Sequence, residues 1–546
     1  MTYNLSELFE QIVDDAPERT ALVTQERRLT YAQLDERATR LAHHLRDQGV
    51  GAGDHVGLHL LNGTEYVEGM LAAFKLRAVP ININYRYVER ELEYLYDNAD
   101  LVALVFHRRF APLVGTVAPG IATLTHLVMV DDDSGEPAPL DAVDYEDALA
   151  AASPARDFAG RSSDDVYCAY TGGTTGMPKG VLWRHEDIFF ASMGGGDPTM
   201  MDGPISAPEQ LTGRIPEIGI VQLVTPPFMH VSAHWSAFHA FYGGGKVVVP
   251  TPGSFDPAEA WSLIDAEGVN IITLVGDAMV RPLLEHYADD PDRYEGASLF
   301  AIASGGAVLS TSCKNLAQEL IPNIIVIDGY GSSETGIAGT QARLPGGERT
   351  EGGRFQMDDR TRVFDDDMAP VEPGSGVVGQ VARRGRIPLG YHKDPEQSAA
   401  TFVEVDGERW VLSGDLATVD TDGTVVLHGR GSVSINTGGE KVHPEEVEST
   451  VIGHPGVRDV VVVGVPDERW GQRVVAVVEA RPGHDVTLDD IQAFAREQLA
   501  GYKLPRDLVL VDSLLRNPNG KADYAWARDQ ATAALEPDAS ETAPAG

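Results

Sequence analysis

Tyr170 to Val181 read YTGGTTGMPKGV. The run is dense in hydroxyls and glycines and closes on one lysine, which is the composition of a loop that grips phosphate. Glycine lets backbone amides approach a polyanion closely, Thr171, Thr174 and Thr175 offer hydroxyl donors, and Lys179 adds a point charge. The spacing departs from that of a Walker loop: five residues on from Gly172 stands Met177, five on from Gly173 stands Pro178, and Lys179 is followed by Gly180 instead of Ser or Thr. The familiar ATPase loop is therefore excluded. Taken alone, the stretch is also compatible with a surface loop.

Around it the chain alternates between two periods. From Leu34 the apolar positions Ala38, Leu41 and Leu45 follow helical spacing, Gly49 to Gly53 breaks the pattern, and Val56, Leu58 and Leu60 alternate like a strand. The same succession recurs through Glu65 to Val105 and from Trp261 to Leu274. Helix-strand alternation predicts an α/β fold with largely parallel sheets. Gly- and Pro-rich segments, Leu344 to Gly353 and Glu372 to Gly376, read as turns of a smaller β-rich part of the same large domain. After Arg430 the composition shifts to a compact α+β unit, with a helix expected from Pro444 to Thr450, β-rich runs at Val460 to Val465 and Arg473 to Glu479, and a helix from Leu488 to Leu499. The expected organisation is a large domain over 1–430, a small one over 431–528, and a disordered tail over 529–546, rich in Ala, Glu, Asp and Pro.

Composition narrows the class. A chain of 546 residues is long enough for more than one core. With 43 basic against 82 acidic residues the formal charge is −39, which disfavours nucleic acid and anionic membrane surfaces and requires local devices to hold an anionic substrate. No stretch approaches the ~20 apolar residues of a membrane span, and the amino terminus lacks the pattern of a signal peptide, so a cytoplasmic protein is expected. Two cysteines, Cys168 and Cys313, exclude a disulfide framework, and the sixteen histidines show no zinc-site spacing.

Five further segments share the theme of the opening loop. Ser304 to Ala307 reads SGGA, Asp328 to Gly336 DGYGSSETG, Ser413 to Leu416 SGDL, Gly429 to Glu448 GRGSVSINTGGEKVHPEEVE, and Arg516 to Tyr524 RNPNGKADY. In this order and at these separations they resemble the core motifs of the adenylate-forming superfamily, which includes acyl-CoA synthetases, luciferases and peptide-synthetase adenylation domains. The resemblance spans roughly residues 10 to 525. It implies an enzyme that activates a carboxylic acid with ATP and Mg²⁺ to an acyl-adenylate plus pyrophosphate and then passes the acyl group to a thiol, releasing AMP. Such chemistry needs positioning and charge neutralisation at phosphorus, and the sequence shows no nucleophile-elbow pattern.

The resemblance also assigns roles. Thr171, Gly172, Gly173, Thr174, Thr175 and Lys179 match the triphosphate loop. Gly305, Gly306 and Ala307 match a segment beside the nucleotide and acid. In Asp328, Gly329, Tyr330, Gly331, Ser332 and Ser333, the tyrosine matches the ring that stacks on adenine, and Asp328 the position facing its amine. Ser333 keeps the hydroxyl of the usual threonine at the α-phosphate. Glu334, with Thr171, is implied to hold the metal, Mg²⁺ preferring hard oxygen ligands. Asp415 matches the carboxylate that accepts the ribose hydroxyls and Arg430 the basic residue beside them. Lys521 matches the catalytic lysine that bridges carboxylate and α-phosphate.

In this superfamily the small domain swings about a hinge just after the GR dipeptide. By position the hinge is Ser432, where Asp or Lys is usual, and Val433 follows where another acid is common. Gly438 and Gly439 match the segment lining the pantetheine tunnel, and TGGEKVHPEEVE favours the CoA-synthetase branch. Coenzyme A is the expected acceptor, and the absence of a carrier domain agrees with it. His230 matches a position that gates the acid pocket. Trp235 and Phe238 are further wall candidates in an aromatic run that also suits a core. WRHEDIFFASMGGGDP, Trp183 to Pro198, is similar to actinobacterial synthetases acting on fatty and steroid side-chain acids; its three glycines would either make room for a bulky acyl group or bend the chain. A free-standing ligase loading a carrier protein and a catalytically silent nucleotide- or CoA-binding protein are the alternatives, and a homodimer is among the assemblies the sequence allows.

Overall fold

The computed structural model describes residues 1–535 apart from 140, 159, 172–176, 200, 308, 348–352, 431–432, 434, 438–439, 468–470, 497, 500 and 517–521, with the backbone alone at 430, 436, 440, 441 and 471. Two parallel α/β sheets form the frame of the large domain. One carries Val79–Asn82, His55–His59, Leu101–His107, His126–Val130 and Ala142–Asp144 in that spatial order. The other has eight strands and centres on Val221–Val224, Ile271–Leu274, Ala301–Gly305 and Ile325–Ser332, with antiparallel strands at both edges. A short antiparallel sheet joins Gly390–Tyr391, Lys179–Arg184 and Val166–Thr171. A six-stranded antiparallel sheet holds Gly379–Arg384, Glu408–Val419 and Thr424–Arg430.

Local chemistry explains the elements. The helix Tyr31–Asp47 starts at a capping box between Thr30 and Gln33, and its stripe of Leu34, Ala38, Leu41 and Leu45 is fully buried. The aromatic run in the helix Val231–Tyr242 goes the same way. Phe238 is 1% exposed and Trp235 8%, both in a cluster with Phe228, Phe241 and Tyr242. The run packs as core, and the helix is apolar on most of its circumference because its neighbours surround it.

The small domain is organised by alternation. Val457–Asp467 and Gly471–Ala480 pair in antiparallel register, and Asp507–Val511 adds in parallel. Val460 and Val462 enter a core under the helices Pro444–Val451 and Leu488–Ala495, while Val461, Val463 and Val465 enter a second core on the opposite face. Successive residues of a strand point to opposite faces, so an unbroken valine run fits a strand covered on both sides. The second cover is the helix Tyr524–Leu535, whose Ala527 and Ala531 are fully buried. This corrects the tail expected from Asp529: the chain is helical through Leu535. Its stripe is built of alanines, which a search for large apolar residues passes over. The helix from Leu488 ends at Ala495, four residues before the expected Leu499.

The domains meet where Arg481 reaches Glu285 at 2.8 Å and where the ring of His443 stacks on His428 with centroids 5.4 Å apart. Among the described residues no helix is long and apolar enough to cross a membrane.

Candidate active site

Two of the segments singled out in the sequence, SGGA and DGYGSSETG, end adjacent strands of the eight-stranded sheet, where open α/β sheets place ligands, and the opening hairpin and SGDL reach the second of them. Ser304 and Asp328 are register partners on adjacent parallel strands, as are Gly305 and Gly329. Gly306, just beyond its strand, has φ of +81°, and a Cβ there would meet nothing within 4 Å. The position thus pairs a left-handed backbone with open space above the strand ends. Ser304 is turned inward, its hydroxyl accepting from the Gly276 amide at 2.9 Å.

The opening loop is a hairpin. Strands Val166–Thr171 and Lys179–Arg184 pair so that Thr171 lies across from Lys179 and Tyr170 across from Gly180. Gly172, Gly173, Thr174 and Thr175 lie outside the described residues. Asn82, 4% exposed at the end of its strand, anchors the hairpin: its amide donates to the carbonyls of Tyr170 and Met229, at 2.8 and 2.7 Å, and its oxygen accepts from the Tyr170 amide at 2.8 Å. One side chain therefore ties the hairpin to the turn before His230.

Lys179 points at a neighbouring segment, GYHKDPEQ. Its Nζ lies 2.9 Å from Asp394 Oδ2 and 3.4 Å from Gln397 Oε1, and 5.6 Å from the centre of the Tyr391 ring. The bond to Lys179 holds the partly exposed Asp394 carboxyl below its ordinary value. Tyr391 in turn donates from its hydroxyl to Glu334 Oε1 at 3.0 Å. Glu334 sits in the tight link between Ile325–Ser332 and Gly336–Arg343, its amide donating to Ser332 Oγ at 3.3 Å. Next to it, the Ser333 carbonyl accepts from the indole of Trp183 at 2.9 Å.

Across the site Tyr330 donates to Asp415 Oδ2 at 2.9 Å and lies 3.1 Å from Ser413 Oγ, with its ring tilted against Phe355 at 5.4 Å. Asp415 faces Arg430 in the backbone register of two antiparallel strands. Asp328 is 6% exposed and paired at 2.6 Å with Lys314, which is buried still more deeply. Burial pushes its carboxyl up, against the pull of the Lys314 ammonium. Its Oδ2 is thus occupied by a lysine that sequence reasoning did not single out.

His230 stands at the N-cap position of the helix Val231–Tyr242, its side chain making no capping hydrogen bond to that helix. The buried histidine is His234, whose Nε2 meets the Phe228 carbonyl at 2.5 Å and whose Nδ1 meets the Tyr167 hydroxyl at 2.9 Å. A carbonyl only accepts, so Nε2 carries the proton and Nδ1 accepts from Tyr167. Burial pushes the imidazole down to about 4, which keeps it neutral. Gly194, Gly195 and Gly196 all have positive φ, with His239, Phe190 and Ile205 packed against where their side chains would be. Of the two readings of this triplet, the one in which it bends the chain fits the packing.

The structure therefore links Lys179 and Glu334 through Tyr391, with Thr171 across from Lys179 and Ser333 beside Glu334, and joins Tyr330 to Asp415, while Gly305 lies across from Gly329 on the adjacent strand. Lys521, Gly438, Gly439 and the hinge at Ser432 lie outside the described residues. Asn82, Tyr391 and Asp394 fall outside the sequence motifs, since each acts through a contact far along the chain. For a cation, Glu334 offers hard carboxylate oxygen, of which only Oε1 carries a hydrogen bond among the described residues. The described residues hold no cluster of three His, Cys, Asp or Glu able to bind a metal by itself.

A large α/β domain with a phosphate-type hairpin and a carboxylate cluster at its strand ends, followed by a small α+β domain, is a two-domain nucleotide-dependent architecture. The AMP-binding enzyme family matches residues 9–391 and the AMP-binding enzyme C-terminal domain residues 446–521, so the chain belongs to the AMP-binding enzymes. It is 48% identical to a 3-oxocholest-4-en-26-oate–CoA ligase of Rhodococcus rhodochrous, covering 97% of this chain and 96% of that one. It is 45% identical, over the same shares, to a medium/long-chain-fatty-acid–CoA/3-oxocholest-4-en-26-oate–CoA ligase of Mycolicibacterium smegmatis. A crystal structure of an anthranilate CoA ligase in complex with anthranoyl-AMP shares the fold at a TM-score of 0.84, 24% identity and 98% coverage of both chains.

Proposed function

We propose that the protein is an ATP-dependent acid:CoA ligase acting on fatty and steroid side-chain acids. The carboxylate of the acid attacks the α-phosphorus of ATP, the bond to the bridging oxygen breaks, and pyrophosphate leaves. The thiolate of CoA then attacks the acyl carbon and AMP leaves with the electron pair of the mixed anhydride. The observation that carries the reading is a pair of clusters on either side of one strand end: Lys179 and Glu334 bridged through Tyr391, and Tyr330 hydrogen-bonded to Asp415, with Tyr330 on the strand Ile325–Ser332 and Glu334 in the link that follows it. The first suits a triphosphate and the second a nucleoside.

In this reading Thr171, Thr174, Thr175 and Lys179 grip the triphosphate, Tyr330 stacks on adenine, and Asp415 with Arg430 holds the ribose. Ser333 and Lys521 touch the α-phosphate, and Gly305, Gly306 and His230 border the acid. Mg²⁺, held by Glu334 and by phosphate oxygens, would neutralise charge at the leaving pyrophosphate. The CoA acceptor is supported by the names of the full-length relatives, and the steroid or long-chain acid by the same names.

The test is a panel of fatty, aromatic and steroid acids incubated with ATP and Mg²⁺, read first as pyrophosphate release. Conversion of the adenylate to AMP plus thioester on adding CoA is expected, with medium- and long-chain fatty acids and steroid side-chain acids preferred. Conversion only with a carrier protein would replace CoA as acceptor. No adenylate from any acid would overturn the enzyme reading.

A further inference from the structure

Tyr391 belongs to none of the motifs that suggested the chemistry, yet it touches two of them at once. Its hydroxyl donates to Glu334 Oε1 at 3.0 Å, and Lys179 Nζ lies 5.6 Å from its ring centre, within the range of a cation–π contact. Its own position is fixed from three sides. Gly390–Tyr391 pairs with the strand that begins at Lys179, Tyr391 opposite Val181. The His392 amide donates to the Gly180 carbonyl at 2.7 Å, the Tyr391 amide to Ser398 Oγ at 2.9 Å, and the ring meets Phe402 with centroids 5.8 Å apart. A side chain locked in this way can lock what it touches.

We propose that Tyr391 is a positioning residue for the adenylation step: its hydroxyl sets the orientation of the Glu334 carboxylate and its ring sets the approach of Lys179, so that the cation and the triphosphate are received in one fixed geometry. This rests on the reading of Glu334 as the cation ligand and Lys179 as the phosphate grip. The logic is that of outer partners that orient metal ligands, whose loss typically costs ~10- to 100-fold in metal affinity. The two halves of the side chain have separable effects. The hydroxyl acts only through Glu334 and hence only when the cation is present; the ring acts through Lys179 with or without it.

Tyr391→Phe, which keeps the ring, and Tyr391→Leu, which removes it, separate these effects. Acid-dependent pyrophosphate release is followed against Mg²⁺ at fixed ATP, ATP binding is measured calorimetrically with and without Mg²⁺, and thioester formation is measured from supplied acyl-adenylate and CoA. The Phe variant is expected to raise the half-saturating Mg²⁺ concentration about tenfold while leaving Mg²⁺-free ATP binding and thioester formation at wild-type levels. The Leu variant is expected to weaken Mg²⁺-free ATP binding as well. Glu334→Gln is the reference. If it shifts the Mg²⁺ dependence and Tyr391→Phe does not, the positioning role is overturned while the cation site stands. If Glu334→Gln leaves the Mg²⁺ dependence unmoved, the cation assignment fails and the positioning role falls with it. Equal losses in both half-reactions for Tyr391→Phe would mark a merely structural tyrosine and also overturn the proposal.

Discussion

Lys179 and Asp394 form an ion pair of 2.9 Å across two segments of the short antiparallel sheet and its following helix, so the lysine proposed to grip triphosphate already has an anionic partner. Nucleotide must take Lys179 from that partner. Both side chains are partly exposed, at 38% and 32%, and such pairs contribute at most about 1 kcal/mol, screened by salt. Asp394→Asn removes the charge and keeps an oxygen for the cap that Asp394 makes with the Gln397 amide at 3.0 Å. The expected result is a KM for ATP lowered about two- to fivefold at low salt, kcat within about twofold, and a difference that fades at high ionic strength. A raised KM would show that Asp394 aims the lysine instead of holding it back.

Lys521 is expected to act in one half-reaction only. Described residues on either side of it are held in the small domain: Arg516 and Ala522 form a bridge, Arg516 pairs with Asp459 at 2.5 Å, and the Tyr524 hydroxyl donates to Glu448 at 3.1 Å. Removing a preorganised donor from such a site costs ~10²- to 10³-fold in rate. Lys521→Ala should lose that much in acid-dependent pyrophosphate release and keep thioester formation from supplied acyl-adenylate. Equal losses in both steps would refute the assignment.

Glu448, half-buried on the helix Pro444–Val451 of the small domain, makes stability depend on pH. Burial, reinforced by the Glu445 carboxylate, pushes it up to about 8, against the Val462 amide, Arg516 and Tyr524, which favour its charged form. The unfolded chain releases this proton near the ordinary glutamate value of about 4.3, while the folded domain keeps it until about 8. Below that window both states are protonated and the group is neutral in its effect; as pH rises through it, the folded state loses stability relative to the unfolded one. Glu448→Gln abolishes that slope. The Tm of the variant minus that of the wild type should therefore climb between about pH 5 and pH 8 in thermal unfolding. Parallel Tm curves would show that Glu448 is ionised in the folded protein.

The sequence disclosed the parts whose chemistry is local. Glycine- and hydroxyl-rich segments at strand ends announce themselves because loop geometry and phosphate binding demand those residue types in short runs, and the structure gathers those of them it describes. What stayed hidden depends on distance. Tyr391 and Asp394 lie more than two hundred residues from Lys179, and no periodicity connects them. Lys314 and Asp328 become partners only when a helix folds over its sheet. Trp235 and Phe238 could not be divided between pocket and core, since both environments accept aromatics. The alanine-striped helix at Tyr524–Leu535 was read in part as a tail because its packing relies on small side chains against a valine sheet.

Asn82 gives the sharpest stability prediction. It uses its amide twice and its oxygen once, on Tyr170 and Met229, in a site 4% exposed. Asn82→Ala would leave two carbonyls and one amide buried without their partner, and each orphaned group costs about 1–3 kcal/mol. Relaxation and water entry recover part of that, so a net loss of about 2–4 kcal/mol in the large domain is expected, read as an earlier unfolding transition in denaturant. Asn82→Asp should be worse at neutral pH, although nearly isosteric. A carboxylate has no hydrogen to give the two carbonyls, and it buries a charge among acceptors. Because the same bonds hold the hairpin beside the turn before His230, the Ala variant should also weaken ATP binding at temperatures where it remains folded. An Asp variant as stable as wild type at pH 7 would refute this hydrogen-bond assignment.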